Sequence, residues 1–254
     1  MKVMVVNDDG YGAPGIEALA ETLKNAGHEV LVAAPDGQRS GTGQSVTLDG
    51  QVRAVRKPLG WALMGTPADC VRAGLLRLMP DCEMVLSGIN LGANLGTDCN
   101  YSGTVAAARE AAMNGRAAMA VSCAIRPGEK WGFRDATYLA EYAVKVMEHL
   151  AANPLPRGVF LNLNLPNLAR GEDFRLGAAP LGWFRYDRDF DVEERGDEVI
   201  FHCRFGTIAH RQEGHSDIAL MREGRACMTA VSWDATHNAS NAVAEKIADQ
   251  MAEK

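Results

Sequence analysis

Short apolar runs without polar alternation recur along the first two thirds of the chain, with segments of helical period between them. Residues 3–6 (VMVV), 29–35 (EVLVAAP), and the runs EMVLSG, GRAAMAVSC and GVFLNLNLP are too short for helices and apolar on successive residues. That is the pattern of strands buried on both faces of a parallel sheet. After the first run, Ile16, Leu19, Ala20 and Leu23 recur at helical spacing over 15–26, and Gly27 stands where a helix stops. Thr66 as N-cap, Pro67 at the first helical position and Asp69 three residues after the cap predict a helix running to about Met79. Further helices are expected in the alanine-rich segment after Thr104 and over 137–150, where Leu139, Tyr142, Ala143 and Val146 share a face. Strand and helix in regular alternation specify an α/β fold, a three-layer sandwich around a mostly parallel sheet.

Other segments break this rhythm. The polar, alternating stretch 46–56 reads as a β-hairpin. From about Phe174 to Val231 the chain is Gly-rich and charge-dense with short β-like pieces such as EVIFHCRF, and 237–254 returns to helical spacing with Val243, Ile247 and Met251 on one face. The expected organisation is one domain over 1–254, with the core in 1–170 and an irregular β region and terminal helix in 171–254.

With 254 residues, 47% of them apolar, the chain can bury a large core. Its net charge of −6 argues against a protein that grips a nucleic-acid duplex through a basic face. Six cysteines show no C-x-x-C pair and read as ordinary thiols of a reducing compartment. MKVMVV is too short for a signal sequence and no stretch reaches membrane-spanning length, so a cytoplasmic protein without a membrane partner is expected.

In an open parallel sheet, ligands sit at the carboxyl ends of the strands. Three polar loops leave such ends: NDDG after the first strand, PDGQRSG after the second, and SGINLGANLGTDCNYSGT after EMVL. They offer the carboxylates of Asp8 and Asp9, the hydroxyl of Ser40 and the side-chain amide of Asn90 or Asn94. Oxygen donors without Cys or His suit a hard divalent ion and disfavour zinc. Ser102, Gly103 and Thr104 stand at the start of a helix, where free N–H groups and the dipole can hold a phosphate; Ser102 or Thr104 also suits an ordinary N-cap. NDDGYGAPG lacks the G-x-G-x-x-G fingerprint of dinucleotide binders, and its acid pair would repel phosphate unless a cation intervenes.

NDDG followed by APGI, APDGQRSG, GTPADCV, SGINLGANLG and YSGTVAAARE, in this order and spacing, closely resemble the SurE family of stationary-phase survival proteins, metal-dependent nucleoside monophosphate phosphatases. The resemblance is dense to about residue 125 and resumes at FLNLNLP, near Gly214 to Asp217 and around VSWDATHNAS. It implies that Asp8, Asp9, Ser40 and Asn90 bind one divalent ion per subunit, Mg²⁺ or Mn²⁺. It further implies that Asn94 and the Ser102-Gly103-Thr104 turn face the phosphate, with Asp8, Asp9, Asn94 and Ser102 as the catalytic set. The implied fold has a Rossmann-like core, an extended β-hairpin and a C-terminal arm swapped between subunits of a homodimer or homotetramer. The implied activity is hydrolysis of nucleoside monophosphates; the alternative is a metal-dependent nucleotide-binding or sensing protein with poor turnover. Gly37 and Gln38 depart from the family's R-N-R-S-G loop, and 171–213 match it poorly. His202, His210, His215 and His237 read as surface or ordinarily hydrogen-bonded histidines.

Overall fold

Val3, Met4, Val5 and Val6 are all fully buried because β1 (Lys2–Val6) runs through the middle of a sheet covered on both faces. Alternate side chains of a strand point to opposite faces, so Val3 and Val5 join one apolar cluster while Met4 and Val6 join another. In this computed structural model, residues 1–126, 128–187, 190–203, 207–211 and 214–252 are described. The first cluster is closed by α1 (Pro14–Asn25) and α4 (Ala136–Ala152), the second by α2 (Pro67–Ala73) and α3 (Gly103–Met113). The result is the expected three-layer α/β sandwich.

The sheet has nine strands in the order β3-β4-β2-β1-β5-β6-β7-β13-β8. The parallel core consists of β4 (Gly60–Leu63), β2 (Glu29–Pro35), β1, β5 (Met84–Leu91), β6 (Ala117–Ala124) and β7 (Val159–Pro166). One edge ends in β3 (Ala54–Lys57), antiparallel to β4. At the other, β13 (Ala226–Ser232) pairs antiparallel with β7 and carries β8 (Leu176–Ala178). Part of the region expected to be irregular thus completes the main sheet.

The remainder forms two antiparallel ribbons, β9 (Phe184–Asp187) with β12 (Thr207–Arg211) and β10 (Phe190–Arg195) with β11 (Glu198–Cys203), followed by the short helix α5 (Asp217–Arg222). The helix α6 (Asn238–Ala252) leaves Val243, Ile247 and Met251 more than half exposed. One expectation needs correcting. Residues 46–53 are not strand; the antiparallel pair is β3–β4, displaced toward the C-terminus of the predicted hairpin. Thr47 instead bonds the Asp69 carboxylate through both its N–H and its hydroxyl, an attachment that strand alternation does not reveal. The helix begun by the Thr66–Asp69 capping box runs as predicted to Met79, its last turn widened to a π-helical one over Gly74–Leu78.

Candidate functional site

Strand order reverses at β1: the chain passes to β2 on one side and later returns to β5 on the other. The carboxyl ends of β1 and β5 therefore flank the crevice in which an open α/β sheet binds its ligand. Asn7 closes the turn after β1 by hydrogen bonds in both directions with Gly10. Gly10 adopts φ +102°, and a Cβ there would lie 2.9 Å from the Gly37 carbonyl carbon. Only a bare backbone lets the loops after β1 and β2 approach so closely. The Arg39 N–H completes the junction by donating to the Asp8 carbonyl at 2.6 Å.

Asp8 is buried and rests on the first turn of α3. Thr104 donates its hydroxyl to Oδ1 of Asp8, and a Cβ on Gly103 would lie 2.8 Å from the Asp8 Cβ. Burial pushes the Asp8 carboxyl above its ordinary value, while the Thr104 hydroxyl and the Gly103 and Thr104 amides oppose that rise. Ser102 is the N-cap of α3, accepting from Val105 N–H at 3.1 Å. The first turn of α3 thus carries the Ser102 cap and has the Asp8 carboxyl lying against it.

Asp9 stands beside it, accepting from the Leu91 N–H at 3.4 Å, which ties the loop after β1 to the end of β5. Burial first and the Asp8 charge second push the Asp9 carboxyl up to about 6. No ion pair among the described residues involves either acid. Asn90 donates its side-chain amide to Gly92 O at 2.8 Å. Ser40, exposed, accepts from Gln38 Nε2 at 3.1 Å, one residue beyond the contact of Arg39 with Asp8. Two carboxylates without an ion-pair partner among the described residues, with hydroxyl and amide oxygens on adjoining loops, fit a hard divalent cation, which would offset the burial that raises both acids and the Asp8 charge that raises Asp9 further.

Asn94 belongs to a different set of contacts. Its amide donates to Ser122 Oγ at 2.8 Å, its N–H to Asn164 Oδ1 at 2.9 Å, and its carbonyl accepts from the Asn162 and Asn164 amides. The carboxylate of Asp217, fully buried, accepts from the N–H groups of Gly96, Gly182 and Ile218, each at 2.8 Å. These groups anchor the loop that runs from β5 to α3. Sequence reasoning assigned no role to Ser122, Asn162 or Asn164; the signal was two asparagines at alternate positions of an otherwise apolar run in FLNLNLP. Of the histidines, His202 pairs with Glu193 at 3.1 Å, His215 meets Ala178 O and His237 meets Ser240, all exposed; the side chain of His210 lies outside the described residues.

A raised carboxyl disfavours the folded state once it ionises: stability is greatest below the unfolded value near 4 and is lost as pH rises through the folded value near 6. Asp9→Asn, which mimics the neutral acid, is expected to stabilise the metal-stripped protein at neutral pH by about 1–2 kcal/mol after allowance for solvent screening. Thermal unfolding with chelator at neutral and acidic pH checks this. A gain at neutral pH that vanishes on acidification is the expected result, and no gain would remove the electrostatic account.

Residues 3–186 match the family model described as survival protein SurE. The chain is 47% identical over 240 residues to the 5'-nucleotidase SurE of Xanthomonas axonopodis pv. citri (strain 306), covering 93% of this chain and 91% of that one. It is 38% identical over 248 residues to the 5'-nucleotidase SurE of Gloeobacter violaceus, covering 93% and 92%. Among solved structures, the crystal structure of the SurE protein from Aquifex aeolicus superposes with a TM-score of 0.81 at 30% identity, over 94% of this chain and 96% of that one.

Proposed function

The chain belongs to the SurE family, and from that premise we propose that it is a metal-dependent phosphomonoesterase that hydrolyses nucleoside monophosphates to nucleoside and phosphate. The observation that carries the reading is the adjacent Asp8 and Asp9, with no cationic side chain among the described residues paired to them, set against the N-terminus of α3 where strand order reverses. Relatives that match almost the whole chain bear the name 5'-nucleotidase.

In this reading Asp8, Asp9, Ser40 and Asn90 hold one divalent ion per subunit, Mg²⁺ or Mn²⁺. The bound ion supplies Lewis-acid polarisation of the phosphoryl group and lowers the pKa of water. The chain's own residues do the positioning. Thr104 fixes the orientation of Asp8, and Gly103, without a side chain, lets the helix terminus approach the acid. The first turn of α3, with Ser102, Gly103 and Thr104, then faces the non-bridging oxygens of the phosphate with its positive end. Asn94 acts at the substrate side of the same loop, held by Ser122 and Asn164. In the same reading 171–254 serve assembly: the exposed stripe on α6 is covered by a second subunit in a homodimer or homotetramer. The six free cysteines accord with a cytoplasmic, reducing location.

The test is phosphate release by the chelator-stripped protein from a panel of nucleoside monophosphates and an aryl phosphate, with Mg²⁺, Mn²⁺ or no addition. Release that requires metal is the expected outcome. Nucleotide binding without release under any metal would reassign the protein as a nucleotide sensor. Sedimentation of the same preparation reads the assembly, and a monomer at all concentrations would remove that role from α6.

A further inference from the structure

A cavity of 730 Å³ opens beyond the carboxyl ends of β6 and β7, walled by Phe184 and Tyr186 of β9 and by Ile218 and Met221 of α5. Its floor is Ala93, Leu95 and Asp98, from the loop that links β5, which ends just after Asn90, to the Ser102 cap of α3. β6 is two strands from β1, so the cavity lies on the order of 10 Å along the sheet edge from the acid pair. One loop therefore borders both places.

The lining has a distinctive polarity. Arg126, Arg211 and Arg222 reach it, and none of them makes an ion pair among the described residues, in a chain whose net charge is −6. Among the described lining residues Asp98 is the one carboxylate; it accepts from the Tyr186 hydroxyl at 2.7 Å. Phe184 and Tyr186, both on the cavity wall, stand edge to face with centroids 5.3 Å apart. Guanidinium groups match the O6 and N7 acceptors of guanine, and a carboxylate matches its N1–H and amino donors. Adenine presents a donor where guanine presents O6, and it has no N1–H for a carboxylate.

We infer that this cavity is the nucleoside pocket of the site and that it selects guanine. The base lies against Phe184 and Tyr186, with Arg126 and Arg222 on its acceptor edge and Asp98 on its donor edge. The inference rests on the nucleotidase reading and adds to it a substrate class and the residues that choose it.

The test compares kcat/KM for GMP, AMP and p-nitrophenyl phosphate in the wild type, Asp98→Asn and Ile208→Trp, together with calorimetric binding of guanosine. Ile208 lines the mouth and is 43% exposed, so a tryptophan there adds bulk without invading the core. The wild type is expected to favour GMP over AMP by about tenfold, and Asp98→Asn to bring the two close to parity. Ile208→Trp is expected to lower the GMP to aryl phosphate ratio by about tenfold, mainly through KM. A wild type that does not favour GMP overturns the guanine assignment, and a GMP to aryl phosphate ratio unmoved by Ile208→Trp overturns the pocket. If no phosphate ester is hydrolysed, the nucleotidase reading is what fails. Guanosine binding then decides the pocket separately: binding weakened in Ile208→Trp supports it, and absent or unaltered binding overturns it.

Discussion

Asp8→Asn is expected to lose phosphate release by on the order of 10³-fold or more while folding at least as well as the wild type. The substitution keeps an acceptor oxygen for the Thr104 hydroxyl and nearly the same volume, and it removes the charge whose burial raises the carboxyl. The stability change should therefore be neutral or favourable, so lost turnover cannot be blamed on unfolding. Two readouts together check the prediction: phosphate release at saturating Mn²⁺, and thermal unfolding with and without the ion. Release within tenfold of the wild type would mean that the charge of Asp8 is dispensable, and the metal assignment would fall with it. A wild type stabilised by Mn²⁺ beside a variant that ignores it is the pattern expected of a metal ligand.

The largest structural effect is expected at Asp217, far from the acids in sequence. Asp217→Ala strands the N–H groups of Gly96, Gly182 and Ile218 in a fully buried position. Leaving several buried donors without a charged acceptor should cost about 3–5 kcal/mol, read as a lower urea midpoint at unchanged slope. The corresponding fall in melting temperature is roughly 10 °C for a chain of this size. A loss below about 1 kcal/mol would show that the three amides find other partners and that the carboxylate does not pin the loop. Because that loop carries Asn94 and leads into Ser102, activity measured well below the melting temperature should also fall.

These two residues mark what a reader of the sequence can and cannot see. Asp8 and Asp9 were legible because they end an apolar run, lie together and have no cation near them in the chain. Strands and helices of the core were legible for a related reason: burial on both faces leaves continuous apolar runs, and helix caps such as Thr66-Pro67-Asp69 act over only a few residues. Where the decisive contact is remote, local pattern gave no guide. Residues 46–53 alternate like a strand, yet Thr47 is captured by Asp69 twenty-two residues away. Asn162 and Asn164 occupy buried positions of β7 that periodicity counts simply as core, although their amides hold the Asn94 carbonyl. The motif loops that line the candidate site stand out in the sequence, and the groups that hold those loops in place do not.

The bond from Asp217 to Gly96 spans 121 residues of chain. Consider it in the order in which a ribosome delivers the polypeptide. Asp8, Asp9, Ser40 and Asn90 emerge early, and β1, β2 and β5 can pair as soon as they are clear of the tunnel. The segment between β5 and α3 then waits for Asn162, Asn164 and finally Asp217 before its backbone groups find their partners. A nascent chain thus carries its acidic pair well before the segment between β5 and α3 meets the carboxylate that gathers its backbone.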